Sequence, residues 1–393
     1  MNLSYLKTKI LSFLIFIIPS FCFAQQVIPL YEITANDRIL ILAPHPDDES
    51  IGTAGIIQKS LKSCAKIKVV CFTNGDNNQL AFIVYEKRLT FKKKEFLHMG
   101  EVRRAETLEA MNYLGVNRDD VVFLGYPDFG TQEILMKYWG KTKPYRSMFP
   151  RVNKVSYPEA LSYGSSYVGE NILSDLKKVL LGFKPTKIFV SHPGDSNRDH
   201  RALYVFLRIA LWDLEGKIEA PKVFPYLIHA GGWPRPRGYH PDLELVPSEK
   251  FNTGVIKWKE YRLSDDEILK KKDAISFYHS QIDCDPPYLF TFARKNELFG
   301  DFPWLKLNVS QGQSILWQDL QDGKTNLQYG LKDKFLYIKL NYKFGKIRKP
   351  KVLVYLLGYK QNKEFALLPK ITLYKGFGGL RLKDKKQTLF IKD

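Results

Sequence analysis

Four short apolar runs, residues 38–43, 67–73, 121–124 and 187–191, punctuate the first half of the chain, each bounded by turn-forming residues. Apolar runs of this length without polar alternation are the pattern of strands covered on both faces. Helical spacing fills the intervals: Gly52 to Lys62, Glu95 to Leu114 and Glu170 to Leu181, with a further helix opening near Arg201. Arg103 and Glu106, three apart, share one face of the second helix. Strand and helix alternating in this way predict a three-layer αβα, Rossmann-like sandwich around a mostly parallel sheet. Chemistry in such a sandwich sits at the carboxyl ends of the strands.

The pattern breaks twice. From Gly130 to Val168 no period holds, and Tyr138, Trp139, Tyr145, Phe149 and Tyr157 are interleaved with Lys137, Lys141, Lys143, Arg146, Arg151 and Lys154. Long irregular insertions beside an active-site sheet are usually either functional or disordered, and a partly ordered surface loop is the plainer reading. Aromatic rings stack on sugar faces, so residues 131–168 read as an insertion forming a substrate-binding lid. After Phe299 the period becomes that of strands: Leu336, Ile338, Leu340, Tyr342 and Phe344 alternate with Tyr337, Lys339, Asn341 and Lys343. Val352 to Leu357, Ile371 to Tyr374 and Thr388 to Ile391 continue it. The expected organisation is a catalytic domain over 25–300 and a small antiparallel β domain over 305–393.

Charge sharpens this division. The chain of 393 residues carries a formal net charge of +19. From Asp301 to the end, 19 Lys and Arg face 7 Asp and Glu. That excess points to an anionic partner for the C-terminal domain, an envelope surface or a glycopolymer. The N-terminus explains why nucleic acid is set aside. Lys7 and Lys9 precede an apolar stretch from Ile10 to Phe23, and Ala24 precedes a polar segment. This is a secretory signal pattern over residues 1–24, shorter than the roughly 20 apolar residues of a spanning helix. The expected location is periplasmic or extracellular. In that oxidising setting Cys64, Cys71 and Cys284 cannot all pair within one chain, and Cys71, inside a predicted strand, is expected as a buried thiol. None has the spacing of a structural zinc site.

Two strand ends carry the candidate chemistry. The first strand stops at Pro44 and is followed by His45-Pro46-Asp47-Asp48-Glu49. Imidazole and carboxylate together suit zinc, and a second carboxylate is left to act on water. By itself the run also reads as a plain turn, with Pro46 fixing φ and the aspartates accepting from backbone N–H groups. The strand ending at Ser191 leads into His192-Pro193-Gly194-Asp195-Ser196-Asn197-Arg198-Asp199-His200. Asp199, beside His200, is placed to accept the other ring N–H of a ligand imidazole. His192 precedes the Pro-Gly turn and is excluded from the ligand set. His229 follows an apolar strand-like run and precedes a glycine pair, and it reads either as a packed histidine or as a proton donor. Glu49 reads as a cap of the following helix or as a support of the ligand loop.

These residues bring a family resemblance. Pro44-His45-Pro46-Asp47-Asp48-Glu49, Thr73-Asn74-Gly75, Arg103-x-x-Glu106, Leu114-Gly115-Val116 and Leu124-Gly125-Tyr126-Pro127-Asp128 stand in order along the chain. Asp195-x-Asn197-x-Asp199-His200-Arg201 and Tyr278-His279-Ser280-Gln281 complete the set. In this the chain resembles the PIG-L/LmbE-like zinc-dependent de-N-acetylases, over residues 38–299 and not beyond. The resemblance implies one zinc per chain, or another divalent ion, held by His45, Asp48 and His200. It implies Asp47 as general base, Arg103 and Asp128 as substrate contacts, and Asp195 and Asp199 as supports of the ligands. Arg103 reads alternatively as a structural partner of Glu106. Many members carry His three residues before the last ligand, where this chain has Asn197, whose amide can donate to an oxyanion but cannot deliver a proton. The proton for the leaving amine then falls to Asp47 or His229. The implied activity is removal of acetyl from an N-acetylated amino sugar. Two readings of other classes stay open: a non-catalytic envelope or glycan-binding protein, and a zinc hydrolase of another amide or an ester.

Overall fold

The computed structural model describes residues 27–77, 83–84, 92–140, 143–251 and 256–301, and in the C-terminal part 309–310, 314–315, 318–321, 325–333, 335–342, 352–376 and 379–382. The signal segment 1–24 and the strand expected at 388–391 lie outside these residues. Among the described residues no helix is long and apolar enough to cross a membrane.

The central sheet holds β1 (Ile28–Pro29), β2 (Arg38–Ala43), β3 (Lys66–Thr73), β4 (Val121–Tyr126), β5 (Lys187–Ser191), β6 (Lys222–Tyr226), β7 (Lys257–Arg262) and β8 (Asn296–Asp301). Their spatial order is β1-β7-β8-β6-β5-β2-β3-β4. Neighbours run parallel, apart from β8, which is antiparallel to both β6 and β7. All four strands read from the sequence are present, with β4 extended to Tyr126.

Strand periodicity divides each strand between two cores. In β2, Ile39, Ile41 and Ala43 face one layer, while Leu40 and Leu42 face the other. The first layer contains α1 (Asp48–Lys62), α2 (Lys93–Leu114) and α6 (Asp265–Ile275). The second contains α3 (Thr131–Lys137), α4 (Gly169–Phe183) and α5 (Arg198–Asp213). Two short helices, α7 (His279–Ile282) and α8 (Pro286–Phe290), close the domain.

Helix α1 begins at Asp48, four residues before the expected Gly52, so two ligand-loop residues are helical. Gly52 is required for close packing rather than for starting the helix: a Cβ there would lie 2.8 Å from the Tyr226 ring. Beneath α1, the fully buried Lys271 ammonium is 2.6 Å from Glu297, whose carboxylate also accepts from the backbone of Gly55 and Ile56.

The segment 131–168 differs from the expected lid. Trp139, Tyr157 and Tyr167 are buried in or beside the second core, and their polar atoms bond inside the protein: Trp139 to Leu135, Tyr157 to Asp76, Tyr167 to Gly125. These buried aromatics serve packing, and no described residue of 131–168 is among those that line the cleft described below.

The C-terminal strands form two small sheets. β9 (Val309–Ser310), β10 (Gln318–Gln321), β11 (Thr325–Lys332) and β12 (Phe335–Tyr342) make one, antiparallel except for β9 against β11. β13 (Val352–Leu357), β14 (Lys370–Gly376) and β15 (Gly379–Leu382) make the other. The link between β13 and β14 is seated on the α4/α5 layer. Phe365 belongs to the second core, with its ring 4.8 Å from Trp139. Tyr359 lies 4.7 Å from Trp212, and its hydroxyl donates to Asp213 at 3.1 Å.

Candidate metal centre and active-site cleft

Strands β2 and β5 are adjacent and parallel, with Leu42 opposite Val190. From this pair the sheet order proceeds outwards in opposite directions, β3 and β4 one way and β6 the other. Loops leaving the carboxyl ends at such a switch point diverge to opposite faces and open a crevice between them. His45, Asp47 and Asp48 leave β2, and Asp195, Asn197, Asp199 and His200 leave β5. The fold thus brings together two motifs about 150 residues apart in sequence.

One atom from each of His45, Asp48 and His200 lies within 4.8 Å of the others. Asp48 Oδ2 is 3.3 Å from His45 Nδ1 and 3.1 Å from His200 Nε2. Both ring nitrogens of His200 are buried without a hydrogen bond of proper geometry, and its Nε2 shares the Asp48 carboxylate oxygen with His45. The remaining ring nitrogens are held from behind. His200 Nδ1 is 3.2 Å from Asp195, and His45 Nε2 is 3.1 Å from Asp128 and 3.4 Å from Asp199. Asp199 therefore serves His45, and the partner of His200 is Asp195, contrary to the pairing expected from adjacency. On a helix, neighbours 199 and 200 point about 100° apart, so one cannot face the other's ring. Asp199 also accepts from the Phe129 and Thr131 backbone.

Burial disfavours charge on both imidazoles, yet the surrounding carboxylates raise His45 well above its usual value and draw His200 up to about 9. Burial likewise opposes ionisation of Asp48, and the two imidazoles overcome it, holding that carboxyl well below the usual range. A site with this appetite for positive charge, two imidazole nitrogens and one carboxylate oxygen fits a divalent ion of the zinc type.

Asp47 caps α1 in position only. Its φ of 113° is strained for a residue with a side chain, and its carboxylate makes no capping bond. The side chain instead lies in the cleft, 3.3 Å from Arg103 Nη2. Burial and the neighbouring Asp48 and Glu49 push its carboxyl up to about 8 against the pull of Arg103. Arg103 also donates to the backbone oxygens of Pro46 and Gly75. Arg103 and Asp128 both line the cleft, but their bonds are to the protein: Arg103 to the Asp47 loop, Asp128 to His45 and the Asn77 backbone. Glu106 is bound to Ser280 rather than to Arg103. Glu49, fully buried, accepts from the Asp47 backbone at 3.2 Å and from the Tyr278 hydroxyl, so it supports the loop. Asn197 caps α5 through its Oδ1, which accepts from the Asp199 backbone at 2.9 Å, and it lines the cleft as well.

His229 reaches the same cleft, its ring 4.7 Å from that of His200. Its backbone N–H donates to Asp195 at 2.8 Å. Burial and the nearby His200 press its imidazole down to about 4. His192 is buried against Trp258 and Phe251, and its Nδ1 accepts from the Gly194 backbone. The cleft, of about 200 Å³, is completed by Ile51, Phe129, Gln281, Cys284, Asp285, Tyr288 and Leu289. Of these only Gln281 lay inside a motif. Tyr288 and Leu289 belong to a five-residue helix that gives no periodic signal.

The fold and site define an open αβα domain with a His-Asp-His centre at its switch point and, beside it, an aspartate held by Arg103. Residues 40–211 match the PIG-L family model, described as GlcNAc-PI de-N-acetylase, and over that span the chain is similar to this family of deacetylases. No curated protein matches the chain by sequence. Among solved structures, N,N'-diacetylchitobiose deacetylase from Pyrococcus horikoshii is 19% identical, with a TM-score of 0.39 over 67% of this chain and 82% of that one. A deacetylase of teicoplanin biosynthesis is 15% identical, with a TM-score of 0.42 over 67% and 96%. The 4-carboxy-2-hydroxymuconate hydratase from Pseudomonas putida is 15% identical, with a TM-score of 0.42 over 70% and 100%.

Proposed function

We propose that this chain is a zinc-dependent hydrolase that removes acetyl from an N-acetylated amino sugar. The observation that carries the reading is Asp47: a carboxylate freed from capping by a strained backbone and held in the cleft beside the His45, Asp48 and His200 donors. A divalent ion on those three residues would supply Lewis-acid polarisation of the acetyl carbonyl and lower the pKa of water. The positive charge of a bound ion would favour ionised Asp47, which then takes a proton from the attacking water and returns it to the amine as the C–N bond breaks, releasing acetate and the free amino sugar. Arg103 keeps Asp47 in reach of that water, and the Asn197 amide has N–H groups to offer the developing oxyanion.

Incubating purified protein, with zinc determined in parallel, with a panel of N-acetyl glycosides tests this directly. Acetate release that follows zinc content is expected. Zinc binding with turnover confined to esters or unrelated amides would replace the substrate class, and absence of both would favour a glycan-binding role.

The lysines, apolar stretch and Ala24 at the N-terminus support an exported enzyme, periplasmic or extracellular. The excess of 19 Lys and Arg over 7 Asp and Glu from Asp301 onward supports attachment to an anionic envelope surface or glycopolymer. N-terminal sequencing of the mature chain tests the first. Salt-dependent binding of the intact chain to anionic vesicles or polysaccharide tests the second, screened over a Debye length of about 8 Å at physiological ionic strength.

A further inference from the structure

Tyr288 stands behind His229 with a hydroxyl that meets two groups at once. Its oxygen is 3.1 Å from the Ile228 carbonyl oxygen and 3.1 Å from His229 Nδ1. A phenol has one proton to donate, and a carbonyl can only accept. The proton therefore goes to Ile228, and at the other contact the phenol oxygen must be the acceptor. His229 Nδ1 then carries a hydrogen, and in the neutral ring Nε2 carries the lone pair. The two rings lie nearly parallel, with centroids 5.9 Å apart and planes at 13°, which holds the imidazole in this orientation. On the backbone side, the Asp195 carboxylate accepts from both Ile228 and His229. The Ile228 carbonyl that takes the phenol proton is thus fixed as well.

We propose that Tyr288 locks His229 in the tautomer protonated at Nδ1, so that Nε2 meets the cleft as a hydrogen-bond acceptor for a substrate N–H or O–H. His229 then recognises substrate and is not the donor to the leaving amine. Tyr288 is a positioning residue acting through it. The acceptor role rests on the reading of the cleft as a deacetylase site; the tautomer does not.

The test is heteronuclear NMR of ¹⁵N-histidine-labelled full-length protein at neutral pH, with the His229 ring signals identified by their loss in His229→Gln. A proton on Nδ1 and a bare Nε2 are expected in the wild type. Tyr288→Phe removes the acceptor and should let both tautomers populate. A wild-type ring protonated at Nε2, or a tautomer unchanged in Tyr288→Phe, overturns the proposal. If Tyr288→Phe fails to fold, the wild-type spectrum still decides.

Kinetics supply the second arm. Tyr288→Phe should raise KM by up to about tenfold, the scale of one hydrogen bond, with kcat nearly unchanged. A rate loss in His229→Gln confined to the alkaline limb of the pH profile would mark a proton donor and overturn the acceptor role. Because the spectrum needs no turnover, failure to release acetate counts against the deacetylase reading alone.

Discussion

Asp199 lies 3.4 Å from the His45 ring, reaching from the start of α5 to an imidazole that belongs to the loop after β2. In the opposite direction Asp48, from the β2 loop, lies 3.1 Å from His200 on α5. Each loop thus holds an imidazole of the other. The two halves of the centre are oriented as a unit, and a change in one loop should be felt by the ligand on the other.

That interlock gives the metal prediction. His45→Ala or His200→Ala should lose bound metal and turnover together, as measured by elemental analysis and acetate release. Asp199→Asn keeps every ligand and should weaken metal affinity by about 10–100-fold, the usual effect of altering a carboxylate behind a ligand histidine. Full metal occupancy in both alanine variants would refute the ligand set.

Asp47→Asn separates binding from chemistry. Metal content should be retained, while kcat falls by about 10²–10⁴-fold, the contribution of a general base. Activity within a fewfold of wild type would make Asp47 structural.

At the far end of the sheet, Asp37 accepts from the Thr34 backbone and the Thr186 hydroxyl, each at 2.8 Å, and pairs with Lys187. Burial opposes its charge, but these partners hold its carboxyl down to about 2, from an ordinary 3.8. A folded-state value below the unfolded one stabilises the fold above about pH 4, and this contribution is lost as pH falls towards about 2. Asp37→Asn should therefore lower Tm at pH 5 to 7 and flatten the acid loss between pH 4 and 2. Parallel Tm profiles for the two proteins would contradict this.

The buried Lys271–Glu297 pair makes a stability prediction independent of catalysis. Lys271→Met leaves a carboxylate buried without its cation and should cost about 3–5 kcal/mol. Adding Glu297→Gln removes the orphan charge while keeping an acceptor for the Gly55 and Ile56 backbone, and should recover most of the loss. Denaturant unfolding of the single and double variants measures both.

Phe365 tests how the C-terminal part is attached. Its side chain is 6% exposed and packs on Trp139, so Phe365→Ala should destabilise the chain by about 3–5 kcal/mol. Truncation after residue 304 would uncover the faces of Trp139 and Trp212 against which Phe365 and Tyr359 pack, and should yield aggregated protein. A soluble truncated chain with unchanged Tm would show that this contact does not hold the domain together.

Local pattern determined much of this protein. Strands buried on both faces leave uninterrupted apolar runs, so β2 to β5 were readable, and so were the helices between them. The clustering of His45, Asp47, Asp48 and His200 at strand ends was visible as short-range motifs, while their roles as ligands and base came from the family resemblance. What needed the tertiary structure was which group faces which. Asp199 was paired with its neighbour His200 on sequence, but helix geometry turns it away, and the strand order delivers it to His45. Arg103 and Asp128 could be located but not assigned partners, since the atoms they bind, in Pro46, Gly75, Asp47 and His45, lie far away along the chain. The 131–168 segment misled because an aromatic ring that stacks on a sugar and one that fills a core are the same residue in a sequence, and only burial separates them. Tyr288 gave no signal at all: its role depends on a 3.1 Å contact between a five-residue helix and a loop some 60 positions earlier. Periodicity records the face on which a side chain emerges, while the partner it meets is set by the long-range packing of the sheet.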